Sequence, residues 1–276
     1  MTGSKGLILR LRNCLVLCAV ASVAGGCALE QSLTVLPNGS GKLVLRLALE
    51  GDKPIPLDGR MLAVVTRPDE VPFRGHYAVA LRTESEGDRT ILELTAWFVD
   101  INELRVVSRD GTLVEYRFEP GEKSSRLVVV NRIPAELAEL ADFSLASFLA
   151  LMTKDVEAEA ARKAAHRLPE LFREPRFRSL LRRARYAETY TLPGPLTSVE
   201  GATKTSADTA TLVLDPERFV TPEGRVGLAR ETKRTIACGP STVSEEAMRA
   251  FDVELADART KWKLRCAIAD RDREKE

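Results

Sequence analysis

Histidine is almost missing from this chain. Only His76 and His166 occur in 276 residues. They lie far apart, and neither has a Cys, Asp or Glu at ligand spacing, so a histidine-centred metal site has no local starting point. Each reads as an ordinary surface or half-buried histidine. Also absent are the Gly-x-Ser-x-Gly elbow, the Gly-x-Gly-x-x-Gly turn and the phosphate loop, which removes the common sequence signatures of hydrolases and of nucleotide binding. Nor is one sign of charge in excess: 41 Lys and Arg stand against 40 Asp and Glu. Whole-chain charge therefore argues neither for nucleic acid nor for steering toward acidic partners, and no nucleic-acid partner is expected. The acidic clusters Asp69-Glu70 and Glu84-Ser85-Glu86 sit beside turn residues, where carboxylates are ordinary solvation rather than an acid–base pair.

Long apolar runs are scarce as well. The one at the start, from about Cys14 to Ala24, falls short of the ~20 residues that span a bilayer. Lys5, Arg10 and Arg12 precede it and Ala24-Gly25-Gly26-Cys27 follows it, the order of a secretory signal peptide. This stretch resembles the lipobox of bacterial lipoproteins, in which a Cys after two small residues receives a diacylglycerol and becomes the mature N-terminus. It departs from that pattern at Ala24, where Leu is usual. The resemblance implies lipidation of Cys27, removal of residues 1–26, and a membrane partner reached through the lipid, on a cell membrane or outer membrane and facing periplasm or exterior. Ala24 and Gly26 equally suit the ordinary signal peptidase, and a retained N-terminal anchor is a third outcome. Loss of Lys5, Arg10 and Arg12 leaves a mature chain slightly on the acidic side, with about 250 residues, enough for a sizeable core.

Cysteine is the next scarcity. Cys14 and Cys18 fall in the leader and Cys27 at its end, so Cys238 and Cys266 are the remaining thiols. In an exported protein two such thiols usually pair, and a Cys238–Cys266 disulfide is expected. The alternative is two separate buried cysteines, because spacing alone does not bring side chains together.

What the chain does have is alternation. Ser32 to Val35 leads into Pro37-Asn38-Gly39-Ser40-Gly41, and Leu43, Leu45, Leu47 and Leu49 then alternate with other residues, which predicts a hairpin. Further strands are predicted at 61–66, 77–83, 90–98, 103–107, 113–119 and 126–131. They are separated by Glu86-Gly87-Asp88, Arg109-Asp110-Gly111 and Pro120-Gly121, a density of turns that favours antiparallel pairing. The stretch Cys27 to Gly41, with Trp97-Phe98-Val99-Asp100-Ile101-Asn102 and Tyr190-Thr191-Leu192-Pro193-Gly194, is similar to recurrent pieces of bacterial lipoproteins related to the mycobacterial LppM family. That resemblance covers about half the chain through turn and packing signals. It implies an envelope protein with an α+β domain and no catalytic residues to carry over. Some members interact with lipid, a property that no residue here carries across.

From Pro134 the period changes. Leu137, Ala141, Leu145, Phe148, Met152 and Val156 recur at three and four residues, and Phe177, Leu180, Leu181 and Ala184 continue the pattern after Pro169 and Pro175. A helical insertion over 134–186 is expected, docked through Leu145, Phe148 and Met152. Its second half is basic, ending in Arg182, Arg183 and Arg185. These form either a contact for an anionic lipid surface or a solvated face paired with the acids of the preceding helix. Strands resume near 209–214 and 225–229. The end reads as strand 232–238, a helix opened by a Thr242/Glu245 capping box, and a strand in which Trp262, Leu264, Cys266 and Ile268 alternate with basic residues.

The predicted fold class is thus α+β: a mainly antiparallel β-sheet with a helical insertion and a C-terminal strand-helix-strand section. The parts are a signal peptide 1–26, a β-rich domain in two pieces 27–133 and 187–230, the insertion 134–186, and a C-terminal section 231–276 with a charged tail. No catalytic, cofactor or metal residue stands out. The function expected is a non-catalytic envelope binding or structural module with a protein or lipid partner. The alternatives are a lipid-binding protein, or an enzyme whose site is assembled from distant residues.

Overall fold

In a computed structural model of the chain, the described residues are 27–50, 71, 73–86, 89–108, 111–131, 185–214 and 232–273. The predicted hairpin opens the fold. Strand β1 (Cys27–Val35) pairs antiparallel with β2 (Gly41–Glu50). In the turn between them, the Asn38 side-chain oxygen accepts hydrogen bonds from the Ser40 amide at 3.1 Å and hydroxyl at 2.7 Å, while Gly39 takes φ +81°, a conformation that favours glycine. At Gly41 the reason for glycine is space: a Cβ there would meet the Thr34 carbonyl oxygen at 2.0 Å and the Phe98 ring at 2.8 Å.

The remaining strands are β3 (Phe73–Arg74), β4 (Ala78–Glu86), β5 (Arg89–Phe98), β6 (Arg105–Ser108), β7 (Gly111–Glu119), β8 (Ser125–Asn131), β9 (Arg185–Thr191), β10 (Leu196–Glu200), β11 (Thr203–Lys204), β12 (Thr209–Leu214) and β13 (Thr232–Cys238). One helix, α1 (Glu245–Arg273), follows them among the described residues. Seven strands form one sheet in the order β11-β12-β9-β1-β2-β5-β4, and six form a second in the order β10-β13-β8-β7-β6-β3. Leu33, Leu43, Val79, Ala96 and Tyr190 from the first sheet share one core with Tyr116, Phe118, Leu127, Val129 and Ile236 from the second.

The expected fold class is corrected on three points. The protein is mainly β, with two sheets in place of one. The larger sheet is mixed, because β1 and β9 run parallel. The last expected strand is instead the second half of α1: Trp262 and Cys266 lie one helical turn apart and pack toward the core, whereas Leu264 and Ile268 are exposed on the other face. Alternation at two residues and recurrence at four coexist in that sequence, and no Gly or Pro between 245 and 273 interrupts the helix begun upstream. Its cap is also displaced, from Thr242 to Ser244, whose hydroxyl accepts from the Ala247 amide at 3.2 Å; the Thr242 amide instead donates to the Pro193 carbonyl. The expected strands at 61–66 and 225–229 lie outside the described residues. So does the expected insertion, with Leu145, Phe148 and Met152, except at its end, where Arg185 and Tyr186 belong to β9.

The two ends of the sandwich differ. At one end lie turns that knit the sheets together: Ile101 donates its amide to the Gly39 carbonyl at 2.9 Å, and the Asn102 side chain accepts from the Phe118 amide at 2.8 Å and donates to its carbonyl at 3.2 Å. At the other end β1, β5 and β9 begin and β2, β4 and β12 finish. Cys27 stands there, as the first residue of β1.

α1 lies across the outer face of the larger sheet. Lys42, Trp97 and Ala78 are successive partners in one row of β2, β5 and β4, and Glu254 meets that row, accepting from Lys42 Nζ at 2.9 Å and Trp97 Nε1 at 2.9 Å. Farther along, Arg259 stacks over the Tyr77 ring at 4.5 Å and donates to the Tyr77 carbonyl. The buried Trp262 meets His76 edge to face, with centroids 5.7 Å apart.

Candidate functional sites at the sandwich centre and the Cys27 end

Two places in the fold carry polar chemistry in an unusual setting. The first is a layer through the core. Gln31 on β1 and Glu188 on β9 are direct partners in the larger sheet, and Arg234 on β13 and Tyr116 on β7 flank Val129 in the same row of the smaller one. Alternation turns all four toward the gap between the sheets. There Arg234 Nη1 reaches Glu188 Oε2 at 2.9 Å, with side-chain exposures of 7% and 3%. Tyr190 donates its hydroxyl to the same carboxylate oxygen and accepts from Arg234 Nη1 at 3.2 Å. Gln31 Nε2 donates to the Tyr116 hydroxyl at 3.4 Å. Each interaction except Tyr190–Glu188 crosses from one sheet to the other.

Electrostatics in this layer favours paired, static groups. Burial raises the Tyr116 and Tyr190 hydroxyls well above the ordinary phenol range, and the Glu188 charge pushes both in the same direction. Both tyrosines stay protonated: Tyr190 donates to Glu188, and Tyr116 accepts from Gln31. Arg234 and Glu188 neutralise each other where neither is solvated, the condition under which a buried ion pair is tolerated. Chemically the layer is a cross-sheet clamp: neither tyrosine is poised as a nucleophile or base.

Burial changes across this layer. On the turn side Leu33, Val35, Leu43, Ala96, Phe98, Leu127 and Ile236 are all buried. In the layer itself and toward the Cys27 end, the core-side residues Leu45, Leu81, Leu94, Val114 and Leu212 are only half-buried.

The second place is the Cys27 end. The parallel register puts Arg185 beside Ala28, one residue from Cys27. Arg185 therefore begins a strand of the sheet rather than ending a helix as expected, and Arg182 and Arg183 lie outside the described residues. On the same outer face, Val213 pairs with Ala187 and is 54% exposed.

The expected disulfide is also corrected. Cys238 and Cys266 are both free thiols. Cys238 ends β13 in the core, whereas Cys266 rides on α1, so the two adjacent strands that would have placed them side by side do not exist. Burial raises both thiols above the usual cysteine range, which makes them poor nucleophiles.

Among the described residues, no group of three or more His, Cys, Asp or Glu is placed to hold a metal ion, and no helix is long and apolar enough to cross a membrane. No protein-family model and no curated protein matches the chain. Among solved structures, the chain is similar to the folded domain of the Mycobacterium tuberculosis LppM protein, determined by NMR. The likeness covers 81% of this chain and 94% of that one, at 9% identity and a TM-score of 0.35, too distant to transfer residues or activity.

Sequence reasoning missed the core layer, although a signal for it exists. Glu188 shares its alternation phase with Tyr190 and Leu192, and Arg234 with Ile236 and Cys238: a charge on the apolar phase of each strand.

Proposed function

We propose that this protein is a lipid-anchored component of a bacterial envelope, held on the membrane through Cys27, and that its β-sandwich is a non-catalytic binding or structural module. The observation that carries the reading is the coincidence of the leader's end with the fold's beginning. The lipobox-like stretch ends at Cys27, and β1 starts on that same residue, so cleavage before Cys27 removes the leader and leaves the described fold whole. Metabolic labelling with a clickable fatty acid is expected to tag the wild type in the membrane fraction and to leave Cys27→Ser unlabelled. Wild-type protein recovered soluble and unlabelled would refute the anchor.

The graded burial favours a second reading, that the half-buried lining near Leu45, Leu94 and Leu212 accepts an acyl chain. Half-buried apolar side chains beside a buried polar layer suit an amphipathic ligand. Organic extraction of purified Cys27→Ser protein, which carries no covalent lipid of its own, is then expected to release stoichiometric lipid. A lipid-free extract from folded protein would dismiss this reading.

A further inference from the structure

We infer that the outer face of the larger sheet at its Cys27 end, marked by Arg185 and Val213, rests on the anionic headgroups of the membrane, with the sandwich standing on that end. This rests on the anchoring of Cys27 proposed above and adds an orientation and a contact surface to it. The argument is one of distance. Cys27 is joined to the sheet by no spacer, because it is itself the first residue of β1. A lipid on Cys27 thus holds the start of β1 at the bilayer surface. Ala28 is ~3.8 Å further along the chain, and Arg185, its partner across the parallel register, is one inter-strand spacing of ~4.8 Å away. An arginine side chain spans that gap to the headgroup layer and offers planar, bidentate donors suited to phosphate.

Chemistry on this face agrees with the geometry. Arg185 and Ala187 share the outward phase of β9, and Val213 lies opposite Ala187, so an exposed cation and an exposed apolar side chain are diagonal neighbours on one surface. Among the described residues, the acid beside Ala187 on that face, Glu30, is already accompanied by Arg46 at 3.9 Å. The opposite end has a different character. The end of β7 and the turn after it carry Glu119, Glu122 and Lys123, and the nine residues of β1 hold that end about 30 Å away along the strand.

The test uses the full chain, made in cells and extracted with its lipid. A photo-crosslinking benzoylphenylalanine replaces either Val213 or Glu122, both exposed, and the protein is reconstituted in vesicles of phosphatidylcholine with or without phosphatidylglycerol. Crosslinking to phospholipid is expected from position 213 and not from position 122, with a higher yield when phosphatidylglycerol is present. Arg185→Glu is expected to lower that yield by about fivefold, the equivalent of one basic contact at a charged surface. Intact mass reports the lipid on Cys27 independently. If the lipid is present but the yield ignores both phosphatidylglycerol and Arg185→Glu, the headgroup contact is wrong and anchoring stands. If the lipid is present and position 122 crosslinks in place of 213, the orientation is wrong. Absence of the lipid overturns the anchor and this inference together.

Discussion

Arg234→Met is expected to destabilise the protein by about 3–5 kcal/mol, the cost of leaving a buried charge without its partner. Glu188 is the charge left behind: its side chain is 3% exposed, so water does not replace the lost guanidinium. Denaturant unfolding measures the loss. Removing the whole charged layer at once, with Arg234→Met, Glu188→Leu and Tyr190→Phe, is expected to cost less than Arg234→Met alone, because no charge or hydroxyl is then stranded. A single variant within ~1 kcal/mol of wild type would mean that water reaches Glu188 and that the layer is not the closed clamp its burial describes.

This layer also marks where sequence reasoning stops. The hairpin at Pro37–Ser40 and strands β4 through β8 were legible because alternation and turn chemistry are local properties. The parallel pairing of β1 with β9 joins residues more than 150 positions apart, and no local pattern encodes it. Glu188 and Arg234 carry no local mark, because charge in an exposed strand is common; only their phase against Tyr190 and Ile236 sets them apart. Arg185 reads as helical because Phe177, Leu180, Leu181 and Ala184 recur at helical spacing up to it. Cys266 was assigned to a strand because Trp262 to Ile268 satisfies two periods at once. In each case the deciding fact was a neighbour supplied by the tertiary fold.

Trp262→Ala is expected to release α1 from the sheet, at a cost of about 3–5 kcal/mol for emptying a buried aromatic position. Trp262 is 4% exposed and is the largest apolar group that the helix brings to the core, beside Ala258 and Cys266; the helix's other ties, Glu254 with Lys42 and Arg259 with Tyr77, are part-exposed. Amide exchange is therefore expected to accelerate along α1 and at Ala78 beneath it, while the middle of β1 and β2 stays protected. Unchanged exchange in α1 would show that the polar ties alone hold it. Acid is expected to loosen the same joint in the wild type. Burial lowers the His76 value; a hydrogen bond with the Phe73 carbonyl opposes that, and the Arg259 and Arg74 charges reinforce it. A depressed value contributes stability above the unfolded histidine range, lost as pH falls through the folded value. Glu254 follows at lower pH: its partial burial acts to raise its carboxyl, but hydrogen bonds from Lys42 and Trp97 prevail and hold it below the usual carboxylate range, so its contribution is lost last. The two tryptophans of the chain, Trp97 and Trp262, both lie in this joint, so intrinsic fluorescence reads it directly. Two steps are expected on acidification, the upper one absent in His76→Gln. A single step unaffected by His76→Gln would assign the whole acid response to carboxylates.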